Sequence, residues 1–130
     1  MNVIALAIGG FIGTILRYEI GVWFESFSGA FPLATLIINL SGSLFLGWFF
    51  TITLLHWKVR PEIRLGLGTG LAGAYTTFSA FSVQSVEFIQ AGRVDIAAIY
   101  IGASVLGGIA LTLIGVVLAK AQANRKGVAV

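Results

Sequence analysis

Residues 66–82 read Gly-Leu-Gly-Thr-Gly-Leu-Ala-Gly-Ala-Tyr-Thr-Thr-Phe-Ser-Ala-Phe-Ser. Four glycines in eight residues, followed by the pair Thr76-Thr77, specify a continuous helix poorly, since a helix-interior glycine costs roughly 0.5–1 kcal/mol relative to alanine in water. The stretch falls inside an uncharged run of 22 residues, 65–86, and about 20 apolar residues suffice to cross a bilayer. At such depth it predicts a discontinuous helix, because unwound backbone is tolerated in a membrane only where it is buried in protein or lines a cavity. Half-helix ends would then offer N–H groups to anions and carbonyls to cations. A glycine-rich packing helix that stays continuous is the alternative.

The flanking sequence supports a membrane setting. Uncharged runs also cover residues 26–57 (32 residues), 96–119 (24 residues) and the first 16 residues. With 58% apolar and 10% charged residues and a mean hydropathy of +0.99, the 130-residue chain has too few charges for a soluble surface. The pattern predicts an all-α membrane protein of four transmembrane helices forming a single domain, with spans at about 3–26, 33–55, 62–90 and 94–121. Pro32, Pro61 and Ala91-Gly92-Arg93 punctuate them, and residues 122–130 read as a frayed polar tail. The N-terminal apolar run lacks a basic region before it, so it reads as a retained first helix. Four spans put both termini on one side with Lys58, Arg60, Arg64, Lys120, Arg125 and Lys126, against Arg17 and Arg93 on the other, which favours a cytoplasmic location for the termini.

Small and polar residues recur at four-residue spacing. Helix 1 carries Gly9, Gly13, Arg17 and Gly21, a packing stripe whose arginine either snorkels to the interface or serves a pathway. Helix 2 carries Thr35, Asn39, Ser43 and Gly47; helix 4 carries Tyr100, Ser104, Gly108 and Thr112. A lone Asn39 would be explained by one interhelical hydrogen bond, but two polar stripes together suggest a hydrophilic track. Phe78 and Phe81, three apart, project from one helix face, and their electropositive ring edges suit a small anion better than a tightly binding cation would. No carboxylate lies deep in a span, which disfavours a cation or proton path.

Several classes are excluded. Without cysteine there is no disulfide, thiolate metal site or thiol nucleophile, and His56 alone makes no metal site. The net charge of +3 and pI near 9.7 reflect juxtamembrane loops rather than nucleic-acid binding. Gly68-x-Gly70-x-x-Gly73 matches a dinucleotide fingerprint, with Glu87 further on, yet no strand precedes it. No nucleophile and base pair marks an enzyme.

The Thr-Thr-Phe-Ser-x-Phe-Ser block resembles the Fluc (CrcB) family of fluoride channels. So do Gly9-Gly-x-x-Gly13 running to Leu16-Arg17, residues 32–39 (Pro-Leu-Ala-Thr-Leu-Ile-Ile-Asn), residues 90–93 (Gln-Ala-Gly-Arg) and Tyr100-x-x-x-Ser104. The resemblance covers nearly the whole chain. It implies an antiparallel dual-topology dimer in a prokaryotic plasma membrane, two narrow pores, and passive fluoride efflux. It also implies a structural sodium ion on the two-fold axis, bound by main-chain carbonyls of Gly73 and Thr76 from both broken third helices near the bilayer centre. By the same similarity Phe78, Phe81 and Asn39 line the pore; Tyr100, Ser104 and Thr112 continue the polar track, and Arg17 supports the mouth. The chain departs from the family pattern at Ala74-Tyr75, Ala80, Gln84 and Gly108. Its six-to-two charge bias is large for dual topology, so the second subunit is either an identical chain or an oppositely inserted paralogue. Competing readings are a small multidrug-type antiporter, for which only Glu19 could titrate, and a non-transporting assembly subunit.

Overall fold

In an apolar chain the backbone polar groups are satisfied most simply inside helices. The computed structural model describes residues 2–29 and 31–125, and these are helical with no strand among them. The elements are α1 (Asn2–Ser28), α2 (Leu33–Leu55), α3 (Pro61–Arg64), a π-helical segment (Leu65–Leu71), α4 (Ala72–Tyr75), α5 (Phe78–Gln90) and α6 (Val94–Arg125). Among the described residues three stretches are long and apolar enough to cross a membrane, Val3–Phe24, Leu33–Leu55 and Val94–Arg125.

The region expected as one span at 62–90 is divided. The glycine run does not unwind; it widens into the π turn, and the chain leaves helical geometry at Thr76 (φ −75°, ψ 158°) and Thr77 (φ −144°, ψ 119°). Glycine placement explains the helical part. A Cβ on Gly9 would meet the Gly66 carbonyl, one on Gly66 would meet the Ala5 carbonyl at 2.7 Å, and one on Gly70 the Leu6 carbonyl at 2.6 Å. The glycines therefore let α1 and the π segment approach backbone to backbone. The stripe on α1 serves this contact only at Gly9 and Gly13, since a Cβ on Gly21 meets nothing within 4 Å.

α2 packs chiefly along α6. Ile52, Ala119 and Ala123 form a buried cluster there, flanked by Trp48 and Leu55. The tail expected to fray from residue 122 instead stays helical to Arg125, because Trp48 Nε1 donates to Gln122 Oε1 at 3.1 Å while Ala123 is fully buried. Residues 126–130, including Lys126 of the charge argument, lie outside the described residues.

The hairpin between α5 and α6 closes with Gly92 in the left-handed region (φ +72°). Arg93 N donates to Phe88 O at 2.8 Å and Gly92 N to Ile89 O at 3.0 Å, the paired bonds of a Schellman termination. Gly92→Ala is expected to lower stability by about 1 kcal/mol, the cost of left-handed geometry for a residue with a Cβ; equilibrium unfolding in detergent measures it, and an unchanged midpoint contradicts it.

Candidate functional site

The Thr76–Thr77 interruption leaves peptide groups that helices would otherwise pair, and α2 supplies the replacement. Asn39 Nδ2 donates to Thr77 O at 2.9 Å, and Thr77 N donates to Asn39 Oδ1 at 2.8 Å. One side-chain amide thus satisfies both polar groups of one residue. Gly42, one turn along α2, leaves room for the Thr76 methyl: a Cβ there would collide with Thr76 Cγ2. Beyond the interruption Thr77 caps α5, its Oγ1 accepting from Ala80 N at 3.2 Å.

An open cavity of about 220 Å3 lies against this clamp, lined by Asn39, Ser43, Leu46, Thr76, Thr77 and Phe78. Asn39 has two amide hydrogens and Thr77 takes one, so the second remains to serve the cavity. Ser43 is less available than its place in the stripe suggests, because its hydroxyl donates back to Asn39 O at 2.9 Å. Thr112 behaves similarly, donating to Gly108 O at 2.9 Å, with Ser43 O 3.4 Å away. These hydroxyls keep their lone pairs, but offering a proton to an anion requires them to rotate off a carbonyl.

From the cavity a chain of rings leads inward. Phe78, 80% exposed, stands 5.7 Å from Phe81, and Phe81 stands 5.4 Å from Tyr100, centroid to centroid. Tyr100 is fully buried, with Phe31 and Phe88 edge-on at 5.6 and 6.4 Å. Its hydroxyl donates to Gln84 Oε1 at 2.9 Å. Thr35 is buried beside it (7% exposed). One turn further along α6 the Ser104 hydroxyl is buried with no hydrogen-bond partner, a spare polar group facing inward.

The structure thus joins Asn39, Ser43 and Phe78 around the cavity, and Phe81, Tyr100 and Thr35 in a contiguous cluster behind it. Arg17 is not part of either: it lies on α1, whose neighbours are the π segment, α4, α2 and α3. Two participants were not anticipated as such. Thr77 is the residue the Asn39 amide grips, and Gln84 is the acceptor for Tyr100. The second was foreseeable, because Gln84 and Tyr100 stand at equal sequence distances on either side of Gly92 and so face each other across the hairpin.

The carbonyls of Gly73 and Thr76 accept no backbone hydrogen bond among the described residues. The N–H that would close the turn on Gly73, that of Thr77, is committed to Asn39. A Cβ on Gly73 would meet nothing within 4 Å, so this face is open. Two spare carbonyl oxygens where a helix ends are the kind of donor a hard cation takes. No group of three or more histidine, cysteine or carboxylate ligands exists among the described residues.

A family described as CrcB-like protein, Camphor Resistance (CrcB), matches residues 4–116. A protein of Moorella thermoacetica named fluoride-specific ion channel FluC 1 is 43% identical over 122 residues, covering 93% of this chain and 87% of the relative. One of Oceanobacillus iheyensis, named fluoride-specific ion channel FluC, is 44% identical over 118 residues, covering 91% of each. One of Geobacillus kaustophilus, named fluoride-specific ion channel FluC 2, is 40% identical over 127 residues and covers 97% of each.

Proposed function

This chain belongs to the CrcB-like family, and from that premise we propose that it is a passive fluoride-selective channel, not an enzyme, through which cytoplasmic fluoride leaves a bacterial cell across the plasma membrane. The observation that carries the reading is the run of neutral donors and ring edges from Asn39 through Phe78 and Phe81 to Tyr100, in a chain whose relatives bear that name.

Fluoride is small and strongly hydrated, so a dry path must replace its water shell with other donors without trapping it. The spare Asn39 amide hydrogen, the rotatable Ser43 and Thr112 hydroxyls and the unpartnered Ser104 hydroxyl are neutral donors. The ring edges of Phe78 and Phe81 are weakly electropositive. None carries a full positive charge, so the anion is bound weakly enough to move on. Antiport through Glu19 and a purely structural role find no support among the relatives.

The pathway borders an open cavity rather than an enclosed tunnel, and the exposed Phe78 ring needs a covering surface. A second copy, or an oppositely inserted paralogue, would close it, with four spans per subunit and the Thr76–Thr77 interruption near the bilayer centre. Antiparallel pairing would bring two sets of Gly73 and Thr76 carbonyls together, and sodium held there would supply positive charge between two helix C-termini that otherwise repel.

Purified protein in liposomes loaded with fluoride is expected to release it far faster than protein-free liposomes, with little chloride movement. Phe78→Ile, which keeps apolar bulk and removes the ring edge, is expected to slow release at least tenfold, about 1.4 kcal/mol in the barrier. Release from wild-type liposomes no faster than from empty ones would sink the reading, unless adding a paralogous subunit restores it.

A further inference from the structure

A second cavity, of about 280 Å3, lies away from this pathway, between the end of α2 and the start of the divided segment. It is lined by Phe50, Val59, Pro61, Arg64, Leu65 and Thr69. The Arg64 guanidinium lies 5.3 Å from the Phe50 ring centroid. That ring occupies the space left by Gly68, where a Cβ would come against Phe50 Cζ. The stacking fixes the guanidinium but satisfies none of its N–H groups. Arg64 Nε is buried and has no hydrogen-bond partner.

Arg64 is half-buried, and the one N–H that water does not reach, at Nε, is left without an acceptor, which calls for a partner. The nearby carboxylate does not provide it: Glu62 Oε2 lies 3.6 Å from Arg60 Nε and is itself buried without a hydrogen-bond partner, and no ion pair joins Glu62 to Arg64 among the described residues. No described residue pairs with Arg64, which leaves the guanidinium on the cavity wall open to an anion from outside the chain. Its nature follows from the walls and the position. Phe50, Val59, Pro61 and Leu65 are apolar, and the cavity is far larger than a halide ion. It sits where the apolar α2 ends at Leu55 and the basic loop with Lys58 and Arg60 begins. Trp57, packed edge-on against Trp48 at 5.4 Å, marks the same level, where indole rings favour the headgroup region. A cation with apolar walls at the headgroup boundary matches a phosphate esterified to glycerol and acyl chains, and basic pockets between helices on the cytoplasmic side bind such headgroups.

We propose that the Arg64 cavity binds the phosphate of an anionic phospholipid, with Arg64 as its principal ligand and Phe50 holding that arginine in place. The site is separate from fluoride permeation, so the test does not depend on flux. Native mass spectrometry of the detergent-purified protein with added phosphatidylglycerol is expected to show retained lipid, and with phosphatidylcholine little or none. Arg64→Gln should weaken phosphatidylglycerol retention about fivefold, while Lys58→Gln, on the exposed loop outside the cavity, leaves it unchanged. Equal retention of the two lipids, or undiminished retention by Arg64→Gln, overturns the proposal. Inorganic phosphate that binds wild-type protein as strongly as the lipid does also overturns it, in favour of a free-anion site. Should Arg64→Gln fail to fold, Arg64→Lys, expected to retain lipid more weakly than wild type but still prefer phosphatidylglycerol, and the headgroup preference of the wild type decide the matter.

Discussion

Asn39→Ala is expected to abolish fluoride flux and to destabilise the fold by about 2–6 kcal/mol. The side chain makes two hydrogen bonds, to Thr77 N–H and to Thr77 C=O, and its removal leaves both backbone groups without their partner. Each stranded group costs roughly 1–3 kcal/mol. The flux effect has the same origin: without the clamp, Thr77 can return its N–H to the Gly73 carbonyl, α4 and α5 tend toward one continuous helix, and Phe78 rotates away from the cavity. Asn39→Asp separates the two contributions. It keeps an acceptor for Thr77 N–H, so it should be the more stable variant, yet it lacks the donor for Thr77 O and brings acid to an anion path, so it should remain silent. Thermal unfolding and liposome flux on both variants provide the check. Wild-type flux in Asn39→Ala would refute the role of the clamp.

Gly47→Ala is expected to have the second large effect, through the packing of α2 on α6. An added Cβ would run into the Thr112 carbonyl, and a backbone oxygen inside a helix has no rotamer by which to step aside. α2 and α6 must then separate along their main contact, at a cost of about 3 kcal/mol, the upper end of ordinary overpacking. The shift also carries Thr112 away from Ser43. Gly21→Ala is the matched control, since its Cβ meets nothing within 4 Å and alanine favours the helix. Folded yield and unfolding midpoint compare them. Similar behaviour of the two variants would show that the close α2–α6 approach is not required.

Charge-free runs and their punctuation made most of the helical layout legible, because lipid excludes charge and proline or glycine ends helices by local geometry. Pro61 opens α3 and Gly92 closes the α5–α6 hairpin, both from chemistry confined to a few residues. The interruption was harder to locate. Alternating glycines signal weak helix preference, but Gly66 and Gly70 are held in helical form by the α1 backbone, a partner some sixty residues away that propensity does not register. The extended pair fell where Asn39 could satisfy it, again through a contact distant in sequence. Polar stripes at helical period put Asn39 with Ser43, and both line one cavity, yet could not tell that Ser43 and Thr112 hydroxyls donate to carbonyls of their own helices while that of Ser104 does not. Arg17 shares the spacing of Gly9 and Gly13, but the π segment ends at Leu71, which already lies against Gly13.

The pairing of helices fixes an order of biogenesis. α1 finds its main partner in the π segment and α2 finds its own in α6, whereas α1 and α2 touch one another far less. α1 and α2 are thus each built to fit a surface synthesised after them. Until α6 is inserted, Gly47 lacks its neighbouring backbone, whereas the glycines of α1 wait only for the π segment. A nascent chain halted in the loop after α2 would hold two membrane helices and almost none of the contacts that order them. Assembly is consequently stepwise: α1 can dock once the π segment follows it, while α2 stays without its main partner until α6 arrives.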